Sequence, residues 1–140
     1  MVELHGWLTI QECYGDEDKL TQTEIDAIKS EISLILSKQV TGITKRHANG
    51  GTYLDALYCA NHRTDEVDDI IEVFSDVAKA ADGSYGVIYL RDDENAVYYN
   101  EFQIFVFKQG KCTKFKDDKL SPCIPEIEAD TGLTISKDSY

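Results

Sequence analysis

The chain is 140 residues long, with 26 acidic and 14 basic residues and a formal net charge of −12. That length suits a single domain spanning 1–140, able to fold without disulfide or metal support, and 42% hydrophobic residues spread along it argue against disorder. The acidic excess argues against nucleic acid and anionic membranes as partners, and no apolar run approaches the roughly 20 residues of a membrane span.

The excess is even: residues 1–70 carry 13 acids and 6 bases, residues 71–140 carry 13 acids and 8 bases. It serves solubility, and it would also speed encounter with a basic protein. The opening M-V-E-L-H-G-W has neither the basic nor the long apolar segment of an export signal. Cys13, Cys59, Cys112 and Cys123 form no C-x-x-C pair. Free thiols in a reducing compartment are expected.

The first strand is read at Val2–Ile10, where Val2, Leu4, Leu8 and Ile10 alternate with Glu3, His5, Trp7 and Thr9. Trp7 falls on the face opposite the aliphatic set. It is assigned a structural role beneath the C-terminal tail, with an interface anchor as the alternative. Asp16, Glu17 and Asp18 follow on an acidic loop. Thr21-x-x-Glu24 is a capping box that opens a helix. Its apolar stripe is Ile25, Ile28, Ile32, Ile35 and Leu36.

Two strands follow, 42–48 and 52–60, joined by Asn49-Gly50, the residue pair that a type I′ hairpin turn favours. The second strand has apolar residues on both faces and is read as covered on both. Thr64 is the predicted N-cap of a second helix, in which Val67, Ile70, Ile71, Phe74, Val77, Ala78 and Ala81 keep helical phase. Asp82-Gly83 is read as its stop, with Gly83 in the C′ position.

Two aromatic strands come next, 85–90 and 102–107, with Tyr85 and Phe102 as scaffold residues. Between them lies a loop bearing Asp92, Asp93, Glu94, Tyr98 and Tyr99. A tight turn at Gln109-Gly110 leads to a short strand at 111–115. Pro122 and Pro125 forbid regular structure in the tail. Its aliphatics Leu120, Ile124, Ile127, Leu133 and Ile135 nevertheless predict that it packs on the body.

The order β-α-β-β-α-β-β-β predicts an α+β domain: an antiparallel sheet of about six strands with two helices on one face. Its core is ferredoxin-like, extended by C-terminal strands and an ordered tail. The uncovered face would then carry Trp7, His5 and several tyrosines and phenylalanines, a large aromatic patch unless the tail or a partner covers it.

No chemistry assembles from the motifs. No serine lies in G-x-S-x-G, and no Walker or dinucleotide fingerprint occurs. His5, His47 and His62 fall on different elements, so each reads as an ordinary histidine rather than a ligand. Cys59 reads as a buried, inert strand residue. The acidic triplets do not follow the EF-hand pattern. No catalytic residue, metal or cofactor is expected. What remains is two anionic loops suited to meet arginines and lysines of a partner.

H-G-W at residues 5–7, G-S-Y-G-V-I-Y-L-R-D-D-E at 83–94, N-E-F-Q-I-F-V-F at 100–107 and L-S-P-C-I-P-E-I-E at 120–128 resemble the bacterial polymorphic-toxin immunity protein 7 family over nearly the whole chain. The resemblance implies a non-enzymatic antitoxin. It would be made in the bacterial cytoplasm and bind the C-terminal toxic domain of a cognate secreted toxin. A basic, nuclease-like toxin would suit the acidic surface. Asp92, Asp93, Glu94, Asp16, Glu17 and Asp18 are then the expected contacts, with Tyr98 and Tyr99 as aromatic anchors. Monomer and homodimer both remain open. The rival readings are a ferredoxin-like ligand-binding or regulatory module and a small hydrolase.

Overall fold

A computed structural model describes residues 1–15 and 19–121. The acidic triplet Asp16, Glu17 and Asp18 and the expected packing of the tail beyond Ser121 lie outside the described residues.

The elements are β1 (Val2–Ile10), α1 (Gln22–Leu36), β2 (Ile43–Ala48), β3 (Gly51–Ala60), α2 (Asp65–Ala80), β4 (Tyr85–Asp92), β5 (Gln103–Lys108) and β6 (Lys111–Lys116). The fold is α+β, with a six-stranded antiparallel open sheet in the order β2-β3-β1-β4-β5-β6. The first four strands keep the ferredoxin-like arrangement, and the last two extend it by hairpins beyond β4. Asn49 and Gly50 both have positive φ, 50° and 77°, as the β2–β3 turn requires.

Strand alternation sorts the sheet into two faces. Val2, Leu4 and Leu8 of β1, Leu54 of β3, Ile88 and Leu90 of β4 and Phe107 of β5 are fully buried on the inner face. α2 is the element that seals them. Its Val67, Ile70, Val73, Phe74, Val77 and Ala78 are all buried, and the ring of Phe74 meets that of Phe107 at 5.7 Å. α2 touches β1, β5 and β6, so it sits over the extended half of the sheet.

α1 packs chiefly against α2. Of its isoleucine stripe only Ile32 is buried. Between α1 and β2 the packing is loose, leaving two cavities of about 390 and 410 Å³ that share Lys45. Six strands are more sheet than two helices can roof, and neither edge strand, β2 nor β6, holds a buried residue.

Thr21 caps α1 as read, its Oγ1 accepting from the backbone N–H of Glu24 at 3.2 Å. Thr64 is the N-cap of α2 as read, with extended backbone, but its side chain makes no cap bond; its hydroxyl lies 2.6 Å from that of Tyr58 and ties the helix start to β3. Three local expectations change. Gly83 does not adopt the positive φ of a C′ glycine. Its lack of a side chain matters because a Cβ there would lie 2.2 Å from the Cys13 carbonyl oxygen. β3 is an interior strand, yet among the described residues only one of its faces is covered, because the helices lie on one side of the sheet. Leu57 and Cys59 are therefore exposed on the outer face, and Cys59 is not a buried cysteine.

Candidate functional site: an acidic end and helix face

β4 runs two residues past its apolar core, to Asp92. The period-two rule puts Asp92 on the same face as Ile88 and Leu90, and it is 6% exposed. Its carboxylate accepts the Glu94 backbone N–H at 3.1 Å, and its carbonyl accepts from Asn95 at 3.1 Å. Asn95 Oδ1 then accepts from the backbone N–H groups of Val97 and Tyr98, at 2.9 and 3.0 Å. The loop is thus wound on two side-chain acceptors, and Asp92 is its internal support. Asp92→Ala is expected to cost about 1.5 kcal/mol by stranding the Glu94 N–H, measurable by urea unfolding with the slope unchanged.

Asp93 and Glu94 are exposed, but both have partners. The amino group of Met1 donates to Asp93. That hydrogen bond holds the Asp93 carboxyl below the usual carboxylate range; partial desolvation opposes it, and the charges of the amino group, Arg91 and His62 assist it. Glu94 Oε1 lies 2.6 Å from His62 Nδ1. Tyr98 is half-buried, with Lys114 Nζ 5.4 Å from its ring centroid. Tyr99, 53% exposed, is the outward-facing member of the pair.

His62 joins this loop to the start of α2. Asp65, Asp68, Asp69, Glu72 and Asp76 stand at i, i+3, i+4, i+7 and i+11, one face of the helix. Arg63 engages Asp68 at 2.7 Å. Hydrogen bonds from the Thr64 hydroxyl and from its own backbone N–H hold the Glu66 carboxyl below its ordinary value, against slight desolvation. The sequence reading followed the apolar stripe of α2 and missed the acidic one. The same spacing argument, applied to carboxylates, would have found it.

The described chain just before the second acidic loop lies at the other end of β4. Cys13, just before it, is pressed against Gly83, and Ser84 Oγ accepts from the Gln11 backbone N–H at 3.1 Å. Those contacts lie at the Tyr85 end of β4, about 24 Å from Asp92 along an eight-residue strand.

Trp7 and Tyr85 meet edge to face on the outer sheet surface, with centroids 6.1 Å apart, and both are more than 40% exposed. The Phe102 ring lies 5.4 Å from that of Tyr89 on the same surface. Lysines gather at the opposite margin from β2: Lys108, Lys111, Lys114 and Lys116 decorate β5 and the edge strand β6, a common way to blunt an unpaired edge.

Next to β6, Asp117 organises the last described turn. Its carboxylate accepts from the backbone N–H groups of Lys119 and Leu120 and from the Ser121 hydroxyl. Burial is the largest single influence and pushes its acidity down, but these bonds together outweigh it and hold the carboxyl below the usual range. A folded-state value below the unfolded one means that the stabilisation is complete above about pH 4 and fades as pH falls through the lowered folded value. Carboxyl chemical shifts should show Asp117 titrating below an unfolded reference, and Asp117→Asn should remove that acid-dependent contribution.

Among the described residues no group of three or more His, Cys, Asp and Glu is placed to hold a metal ion. His5, His47 and His62 lie on β1, β2 and the β3–α2 turn. No helix among the described residues is long and apolar enough to cross a membrane.

What the arrangement presents is an anionic protein surface with an ordered loop at its end. The family model described as immunity protein 7 matches residues 1–129. The chain belongs to the immunity protein 7 family. No curated protein and no solved structure matches it. The family implies an immunity protein against a polymorphic toxin, one that binds its cognate toxin, and such proteins are generally non-catalytic. The immunity protein therefore has its acidic loop, acidic helix face and open sheet face as surfaces on which a toxin could be held.

Proposed function

We propose that this immunity protein neutralises its toxin by occlusion. It docks the acidic face of α2 and the adjoining Asp93–Glu94 loop against a basic toxic domain, with Tyr99 as the exposed aromatic contact. The observation that carries this reading is continuity: the His62–Glu94 pair joins the loop to a helix whose outward stripe is almost wholly carboxylate. Such a surface complements a protein that must itself attract nucleic acid, so a nuclease-like toxin suits it. Complementary fields raise the association rate and disfavour partners of the wrong charge. Occlusion asks nothing catalytic of the immunity protein.

The gene beside this one should encode a large secreted protein with a variable C-terminal domain. Co-expression with that domain should restore growth, and the two should co-purify. Neither rescue nor co-purification would leave the proposal without support.

A further inference from the structure

β2 is an edge strand, and its pairing with β3 decides which of its backbone groups stay available. The backbone N–H of Leu57 donates to the Gly42 carbonyl at 2.9 Å. In an antiparallel ladder such bonds recur at every second residue, so Gly42, Thr44 and Arg46 turn their backbone groups toward β3. Ile43, Lys45 and His47 turn theirs to the free edge. The Ile43 N–H donates to the Val40 carbonyl; Lys45 and His47 each present a donor and an acceptor there.

The side chains of these three residues lie on the inner face, since Ala56 and Leu54, opposite Ile43 and Lys45, are buried. They also mark out the two cavities between α1 and β2. Ile43 lines the cavity of about 390 Å³, with Ile35, Leu36, Val40 and Val73 as its aliphatic walls. His47 lines the cavity of about 410 Å³, together with Lys29 and Glu12. Lys45 lines both. At i, i+2 and i+4, the three residues stand roughly 7 Å apart along the strand.

The chain has 26 acids and 14 bases, yet these walls carry two lysines, one histidine and a single carboxylate, Glu12. Neither lysine has an ion-pair partner among the described residues. A lysine on an edge strand serves by itself to deter pairing. Lys29 is on α1, so edge protection does not account for both.

We propose that the β2 edge and these cavities form a docking site for an extended segment of a partner protein, acidic at two alternate positions and aliphatic at the next. Added antiparallel to β2, such a segment forms its main-chain hydrogen bonds with Lys45 and His47. Residues directly opposite one another share a face. The two acids, opposite His47 and Lys45, then meet Lys29 and Lys45, and the aliphatic residue opposite Ile43 enters the cavity beside Val40. The site takes a segment of the opposite charge to the one that suits the α2 face. A second copy of this chain is the wrong occupant, because β2 paired with β2 sets Lys45, Arg46 and His47 against their own kind.

The probe is the capped peptide T-E-T-E-T-L-T, titrated into the isotope-labelled full-length chain. Amide shifts should saturate and centre on Ile43–Ala48. The charge-reversed peptide T-K-T-K-T-L-T, and the original peptide with the variant Lys45→Glu, should each bind at least about tenfold more weakly. Methylating the backbone nitrogen of the central glutamate removes a hydrogen bond to β2 and keeps the charge, and it should abolish binding. The same methyl on the threonine that follows, whose N–H points away from β2, should change affinity by less than about twofold. Shifts centred on another element, equal binding of the two peptides, or indifference to methylation of the glutamate would overturn the proposal. So would the absence of saturable shifts at about 1 mM peptide, or pairing of β2 with itself seen at the same amides without peptide.

Discussion

Phe74→Ala should lower the unfolding free energy by about 4 kcal/mol, the largest effect expected of any single truncation here. Phe74 is fully buried at the middle of α2, and its ring packs on Phe107 across the helix–sheet interface. α2 packs on β1, β5 and β6, so the cavity would open at the main helix–sheet interface. With a domain stability of roughly 5–15 kcal/mol, the loss is a large fraction of the whole. At this chain length it corresponds to a fall in Tm of roughly 10–20 °C. Leu34→Ala is the matched comparison. Leu34 is 71% exposed on α1, and its truncation should change stability by less than about 0.5 kcal/mol. Equal losses in the two variants would mean that α1 and α2 share the roofing evenly, contrary to the asymmetry described.

Asp69→Lys/Glu72→Lys/Asp76→Lys, combined with Asp93→Lys/Glu94→Lys, should abolish protection against the toxin. The association rate at low salt should fall roughly 10–100-fold. The three helix positions lie beyond the first turn, so reversing them does not confuse binding with the helix dipole. The control is Lys111→Glu/Lys116→Glu on β6, which should leave both protection and association rate nearly unchanged. Loss of protection in the β6 variant with full protection in the acidic-face variant would move the interface to the other side of the molecule. Raising ionic strength should narrow the difference between wild type and the acidic-face variant, because screening weakens long-range attraction.

Element identity was legible because it is written locally. Alternation in Val2–Ile10, the helical phase from Val67 to Ala81 and Asn49-Gly50 each specify a short stretch of backbone from its own residues. The errors were also local in origin. Reading the fourth strand as ending at Leu90 hid that Asp92 continues the inward register of Ile88 and Leu90. Taking both apolar faces of the third strand as covered ignored that two helices on one side leave the other side uncovered by the described residues. A cap role for Gly83 suits its residue type, while Cys13, seventy residues away in sequence, decides what the glycine does.

By itself the sequence determined the composition of both faces of each strand, the acidic balance, the two hairpin turns and the motifs that match the family. Those depend on residue type and spacing along the chain. Tertiary structure alone decided the rest. Cross-strand pairing put the Asp93–Glu94 loop beside the start of α2 through His62, and it set Cys13 against Gly83 at the opposite end of β4. The reason is that sheet order fixes which loops become neighbours, and order follows from how helices and strands share the burial of one core rather than from any loop's own residues.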